Sequence, residues 1–435
     1  MIKINSLLIL PLLCASLYGA SYTVDTLIEK AITSSPDINV SYSSFAISKQ
    51  HTAQADADYL PQIDLYGGVG YANVKAYDPA LQSVDSKGST LISGKLTASQ
   101  LIYDFGKTGG NMDYYAQESN ATFARYNQKI SDKVRDVKHD YYDLLRKALL
   151  IKVYEENVKL TQQQLIRAER YFTAGIKTKI DVVDAKVRLI EAQIELENSK
   201  YDLKLAYVTL DKTIGSVRDS TEGKVYIPEI KSSEGIYDTL PQERLKGKEL
   251  VQYAFTHRQE LKSYEHKIKS AKSRVRQESA DYYPGIYLGG DYQYNAVQDE
   301  ALSLYIPEEQ WNANINVKWN LFGGMRTVAR TEAAKLTLVQ ERAALQDAKL
   351  RIVQETSDAY IKLLKTDSNV ELSMKLVEAA KEKFDQAQKR YEHGLSDYIE
   401  LQEARQGYIN ANADLVVNYY EYYISLATLD RAIGR

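Results

Sequence analysis

Two pairs of acids separate themselves from the chain's many charges. Asp181 and Asp184 lie six and nine residues beyond Gly175, and Glu400 and Glu403 lie six and nine beyond Gly394. Helical residues three apart share a face, so each pair offers two carboxylates on one side, within about three turns of a glycine. Carboxylates so placed repel each other and attract cations. As first-turn acids they equally suit the positive end of a helix dipole. Nothing else has the spacing of a reacting centre. His51, His139, His257, His266 and His393 form no HExxH or other ligand pattern, and no P-loop is present. Neither an enzyme site nor a cofactor is implied, and any driving energy has to come from a partner. A net charge of -3 over 435 residues gives no general basic field for nucleic acid.

The glycines belong to a repeat. Gly175 and Gly394 stand 219 residues apart, and at that offset Ala185 meets Ala404, Ile190 meets Ile409, Ala192 meets Ala411, Tyr201 meets Tyr420, and Thr209-Leu210-Asp211 meets Thr428-Leu429-Asp430. The front ends match at an offset of 223, with Leu27 on Leu250, Ala31 on Ala254 and Pro61-x-Ile63 on Pro284-x-Ile286. Each half therefore reads helix, two strands, very long helix, glycine, return helix. From just after Gly110 to Arg170 neither proline nor glycine occurs, and Val134, Val137, Tyr141, Leu144, Leu145 and Ala148 recur at helical spacing. About sixty residues give roughly 90 Å of helix, far beyond an ordinary globular helix. A second rod runs from about Thr327 to Tyr391. Return helices are expected over Lys179 to Thr213 and Asp397 to Ala432. The turns are short, so each pair is an antiparallel hairpin, and both hairpin tips should lie at one end.

Between the helices the period changes to two. Ile63, Leu65, Gly67, Val69 and Tyr71 alternate with other residues, as do Ile286, Leu288, Gly290, Tyr292 and Tyr294, and again Trp311, Ala313, Ile315, Val317, Trp319 and Leu321. The stretch from Thr90 to Tyr103 is a fourth strand candidate. Polar loops, about 76–89 and 295–309, join each pair. Strands of about ten residues suit a tilted membrane crossing, and Tyr71, Tyr103, Trp311 and Trp319 suit interfacial girdles. Four strands cannot close a barrel, and lipid forbids an open edge. Three chains would supply twelve strands, so a homotrimer held in outer-membrane lipid is expected. The alternating residues Asn314, Asn316 and Lys318 would then face water.

Residues 1–20 carry Lys3, an apolar run from Ile4 to Leu17 and then small residues, the pattern of a secretory signal peptide. The only cysteine, Cys14, lies within it, and Leu13 is bulky for a lipidation site. Without Cys14, disulfides and thiol chemistry fall away. The expected organisation is a signal peptide at 1–20, a first repeat at 21–220, a linker at 221–246 rich in Gly, Pro and Ser, and a second repeat at 247–435.

Taken in order, these marks resemble the TolC family of outer-membrane efflux and secretion proteins. The resemblance rests on Arg390-Tyr391-x-x-Gly394, with Phe172 in the place of Tyr391 before Gly175. It rests also on Tyr59-Leu60-Pro61, on Gln100-Leu101-Ile102-Tyr103-Asp104-Phe105-Gly106, and on the terminal Leu429-Asp430-Arg431-Ala432-Ile433-Gly434. The resemblance implies a mixed α+β fold. A trimeric outer-membrane β-barrel, with four strands per protomer, is continued by a long periplasmic α-helical barrel. It implies docking to a periplasmic adaptor protein and an inner-membrane transporter, with 221–246 in a belt about the helices. It places Glu400 and Glu403, with Asp181 and Asp184 beside them, at a periplasmic entrance closed at rest. The Gly175, Gly394, Phe172 and Tyr391 positions form the helix-tip turns. Glu in place of the family's usual Asp gives the acids more reach. The implied function is a passive efflux duct for small molecules. The same fold serves as the exit of a one-step protein secretion system, and the reading of a different class is a structural periplasmic coiled coil.

Overall fold

A computed structural model describes residues 23–78, 83–216, 240–297 and 306–435. The leader with Cys14, most of the 221–246 linker and parts of both strand loops lie outside the described residues. The elements in order are α1 (Val24–Ser34), α2 (Pro36–Ala57), β1 (Gln62–Asp78), β2 (Ser83–Tyr103), α3 (Lys107–Thr173), α4 (Lys179–Thr213), α5 (Lys248–His257), α6 (Gln259–Ala280), β3 (Gly285–Val297), β4 (Glu309–Lys318), α7 (Arg326–Glu392) and α8 (Tyr398–Ile433). The rods α3 and α7 each have 67 residues, about 100 Å apiece. No described helix is long and apolar enough to cross a membrane.

The first rod begins earlier than its helix-forming composition indicates, because α3 takes in Gly109 and Gly110. Close packing explains the second glycine. A Cβ on Gly110 would lie 2.9 Å from the backbone nitrogen of Gln277 and 3.0 Å from its Cα. The α3 and α6 backbones meet there, and only a glycine lets them.

By internal contacts the chain forms two compact units. Among the described residues, one is drawn from 23–39, 129–216, 240–257 and 352–435, the other from 40–78, 83–128, 258–297 and 306–351. Each takes segments from both sequence repeats. The second unit holds the sheet. Its helices are tied by Ser263 Oγ donating to the Ala121 carbonyl at 3.0 Å, Ser270 Oγ to Glu118 at 2.8 Å, and an aromatic group of Tyr42, Phe45, Phe123 and Tyr126.

The sheet is an antiparallel meander in the order β1-β2-β3-β4. Register sorts its residues. Ile63 pairs with Ala98, Leu65 with Leu96 and Val69 with Ile92; Leu96 pairs with Tyr292; Leu288 pairs with Ile315, Ile286 with Val317 and Tyr292 with Trp311. Paired residues share a face, so one side of all four strands is apolar and aromatic. The other side carries Asp64, Ser93, Lys95, Thr97, Asp291, Gln293, Asn312, Asn314, Asn316 and Lys318. Lys95 and Asp291 pair at 3.7 Å on this side, and Asn314 Nδ2 donates to Asn312 Oδ1 at 2.8 Å. The apolar side is exposed along Ile63, Leu65, Val69, Trp311, Ile315 and Val317. That is costly in water and natural in lipid.

Two strand expectations need correction. The polar loop expected over about 76–89 is largely strand, because β1 runs on to Asp78 and pairs with β2 from Ser83. Trp319 and Leu321 continue the period-two pattern but lie beyond β4, which ends at Lys318 opposite Gly285. The next partner would be Pro284, which has no N–H to give the ladder. Trp319 Nε1 instead donates to the Tyr282 carbonyl at 3.1 Å.

Candidate channel entrance

In the first unit, cross-helix bonds set the order of the long helices as α4, α3, α8, α7. Lys147 on α3 pairs with Asp202 on α4 at 3.2 Å. Between α3 and α8, Arg146 reaches Glu421 at 3.7 Å, Lys138 reaches Asp430 at 3.2 Å, and Tyr142 meets Tyr423 with centroids 5.0 Å apart. Between α8 and α7, Lys362 pairs with Glu421 at 2.8 Å, Asn418 Nδ2 donates to Ser373 Oγ at 2.8 Å, and Phe384 stacks on Tyr408. The repeat is visible in the core. Leu27 and Ala31 on α1, and their counterparts Leu250 and Ala254 on α5, are all fully buried.

The two hairpin turns share one geometry. Gly175 and Gly394 both have φ of +73°, a left-handed conformation that glycine adopts without strain. The Gly175 N–H donates to the Phe172 carbonyl and the Ile176 N–H to Tyr171; the Gly394 N–H donates to Tyr391 and the Leu395 N–H to Arg390. These are the paired end-bonds of a Schellman stop. The expectation that both tips lie at one end holds. Tyr391 is buried in a cluster with Phe384, Ala387, Leu401 and Ala404, and Leu160, Tyr171, Tyr398 and Tyr408 pack against it. Tyr171 and Tyr391 have centroids 6.5 Å apart, Lys177 Nζ sits 5.4 Å over the Tyr391 ring, and Arg167 pairs with Glu392 at 2.8 Å. Phe172, the residue aligned with Tyr391, is exposed. Its neighbour Tyr171 enters the cluster instead, which accounts for the shifted motif of the first turn.

The four acids occupy these turns differently. Asp181 folds back on its own helix start, where Oδ2 accepts from both N and Oγ1 of Thr178 at 2.8 Å. Those bonds hold its carboxyl below the usual carboxylate range. The Glu400 N–H donates to the capping Asp397 Oδ1 at 2.9 Å, and its own carboxylate lies 3.4 Å from Arg390 of the same hairpin. Asp184 and Glu403 are exposed. The placement brings all four within the first turns of α4 and α8, beside one packed aromatic cluster.

Beneath them lies a network that spacing alone did not disclose. Arg405 is buried, its Nη1 donating to Asn157 Oδ1 at 2.6 Å and its Nη2 to Gln402 Oε1 at 2.7 Å. Gln402 Nε2 donates to Gln164 Oε1 at 2.9 Å, so the network bridges α8 and α3. Burial pulls the guanidinium below its usual pKa and pushes the neighbouring Tyr398 phenol up to about 12. The available signal was Arg405 itself, a cation on the face that carries Leu401 and Ala404. Among the described residues no three His, Cys, Asp or Glu side chains are placed to hold a metal.

Comparison with known proteins now decides the class. The sequence profile of the family described as outer membrane efflux protein matches residues 27–216 and 250–435. The chain belongs to that family. Outer membrane protein TolC of Vibrio cholerae is 25% identical over 209 residues, 46% of each chain. Nodulation protein T of Rhizobium leguminosarum bv. trifolii is 20% identical over 411 residues, 94% of this chain and 84% of that one. Among solved structures, CusC superposes with a TM-score of 0.82 at 17% identity, covering 96% of this chain and 95% of its own. VceC from Vibrio cholerae gives 0.81 at 17% identity, covering 94% and 96%. As an outer membrane efflux protein, the chain serves as an outer-membrane channel of an efflux or export system, with a sheet for the membrane and a long helical portion in the periplasm.

Proposed function

We propose that three copies assemble into one passive duct for small molecules, with a barrel of twelve strands and a shared helical wall. The observation that carries this reading is the sheet: four strands, one apolar face, one polar face, and β1 and β4 at its edges. An isolated sheet of this kind leaves edge N–H and C=O groups unpaired in lipid at several kcal/mol each. Joining β4 of one copy to β1 of the next removes every edge. The polar face, with Asn312, Asn314, Asn316 and Lys318, then lines the lumen. The helix tips form a periplasmic entrance, with Glu400 and Glu403 as its acidic lining and Asp181 and Asp184 next to them. Energy is delivered by an inner-membrane transporter through a periplasmic adaptor that docks on the helices. Single cysteines placed along β4 test the barrel. Even-numbered positions from 312 to 318 should react with a charged aqueous reagent in the outer membrane, and 311, 313, 315 and 317 should not. Uniform reactivity contradicts the assignment.

A further inference from the structure

The repeat gives α4 and α8 equivalent residues, but α8 lies between α3 and α7 and buries what α4 exposes. Tyr201 is 60% exposed and Tyr420 5%; Lys186 is exposed and its counterpart Arg405 only 2% exposed. A cation at this position stands in water on α4 and is withdrawn from it on α8. Taking a charge out of water is costly unless an opposite charge pairs with it and its donors are bonded. Within the protein Arg405 meets neither condition. Its bonds go to Asn157 Oδ1 and Gln402 Oε1, which are neutral amide oxygens. Its Nε–H has no hydrogen-bond partner.

Among the described residues, no helix around Arg405 brings a carboxylate to bonding distance. On α4, Glu191 pairs with Arg188 at 2.8 Å, and Glu195 reaches the guanidinium only through Asn157, whose Nδ2 donates to Glu195 Oε2 at 3.4 Å. Burial first, and then the positive charge of Arg188, hold the Arg405 guanidinium below its usual pKa. On α3 the network offers Asn157 and Gln164, both neutral. On α8 the neighbour is Tyr398, and burial pushes its phenol up to about 12, so it keeps its proton. The Tyr398 hydroxyl is shut off from solvent and, like Arg405 Nε, has no partner at hydrogen-bond distance.

Helix geometry relates the two orphaned atoms. Tyr398 and Arg405 are seven residues apart, two turns of α8, and so lie within about 20° of each other around the helix. Helical side chains lean toward the N-terminus, which carries Arg405 toward Tyr398; Gln402, between them, takes the Nη2 bond. A guanidinium N–H and a phenol O–H thus share one stripe of α8 beneath the tip, with Leu401 and Ala404 packed beside them. What serves both donors and the charge together is a negatively charged acceptor. Neither atom is open to solvent, so that acceptor has to be small.

We propose that a monovalent inorganic anion of the halide class binds between Arg405 Nε and the Tyr398 hydroxyl and clamps the start of α8 to α3. The anion neutralises Arg405, whose bond to Asn157 reaches across to α3, and so stabilises the packing of the two helices. Every residue of the site belongs to one chain, so the inference stands apart from the ring assembly proposed above.

The test is hydrogen exchange of the full chain in detergent, read by mass spectrometry over 398–409, with chloride replacing gluconate at constant ionic strength. A ligand bound only to the packed form slows opening by one plus its concentration over Kd, so chloride at about ten times its Kd slows exchange about tenfold. Protection in the parent should rise linearly with chloride, and exchange in the sheet should not respond. Tyr398→Phe keeps the ring and should weaken the apparent chloride affinity about tenfold, the loss of one hydrogen bond to a charged group. Arg405→Gln should abolish the response. Crystals grown in bromide should show its anomalous scattering at hydrogen-bond distance from Arg405 Nε. Equal exchange in chloride and gluconate overturns the site, and so does a chloride response that both variants keep. A bromide map without that peak does the same.

Discussion

Removing the Tyr391 ring should loosen the helix tips without dissolving the molecule. Tyr391 is buried among Phe384, Leu401 and Ala404, its ring lies 6.0 Å from Tyr398 and 6.5 Å from Tyr171, and Lys177 caps it at 5.4 Å. Truncating a buried aromatic to alanine costs about 3–5 kcal/mol, and the cation–π contact adds about 0.5–1 kcal/mol. The cluster belongs to the last turns of α7 and the first of α8, so the cost falls on local opening more than on global unfolding. Taking about 3 kcal/mol, the open population rises roughly a hundredfold. Hydrogen exchange of the segment 384–404, followed by mass spectrometry, should accelerate by about that factor in Tyr391→Ala. Exchange in the sheet should be unchanged. Tyr391→Phe keeps the ring and should stay within about threefold of the parent. An alanine variant that exchanges like the parent at the tip refutes the view that this cluster holds the hairpins together.

Three further outcomes follow from other parts of the structure. Gly110→Ala should destabilise the packing of α3 on α6 by about 1–3 kcal/mol despite alanine's better helix propensity, because its Cβ meets the Gln277 backbone; thermal unfolding in detergent reads it. Asp37 is partly desolvated, but hydrogen bonds from Ser35 at 2.5 Å and from Lys133 and Lys129 outweigh that and hold its carboxyl well below the usual range. A depressed folded pKa gives stability that is present above the unfolded value of about 3.9 and is lost as pH falls further. The parent should therefore lose its advantage over Asp37→Asn only below about pH 4 in a melting series, and an advantage constant from pH 7 to pH 2 contradicts the pairing. Glu400→Gln with Glu403→Gln should lower cation preference and weaken block by multivalent cations in single-channel recordings; unchanged selectivity in an assembled double variant removes these residues from the entrance.

Much of the fold was legible because the repeat marks positions where backbone chemistry leaves little choice. Gly175 and Gly394 end their rods with the same φ, and the four strands sort their side chains as the period-two pattern requires. Where the pattern misled, a local group intervened: Pro284 has no donor for Trp319, so β4 stops at Lys318, three residues short of Leu321. The helix tips were less legible. Tyr201 and Tyr420 are the same residue at the same repeat position, and only the neighbouring helix decides that one is exposed and the other buried. Asp181 and Glu400 likewise share a position, yet one caps Thr178 and the other faces Arg390, because the turns before them carry different residues. The Arg405 network joins α3 and α8 across more than two hundred residues, and its partners Asn157, Gln164 and Gln402 are ordinary polar residues until the helices meet.

The central claim is that this chain forms a channel only as three copies in the outer membrane. Native mass spectrometry of protein extracted from outer membranes in mild detergent tests it most directly. The account predicts one species of three chains, because four strands with two open edges close only in company. A stable single chain, recovered water-soluble from the periplasm, would contradict it.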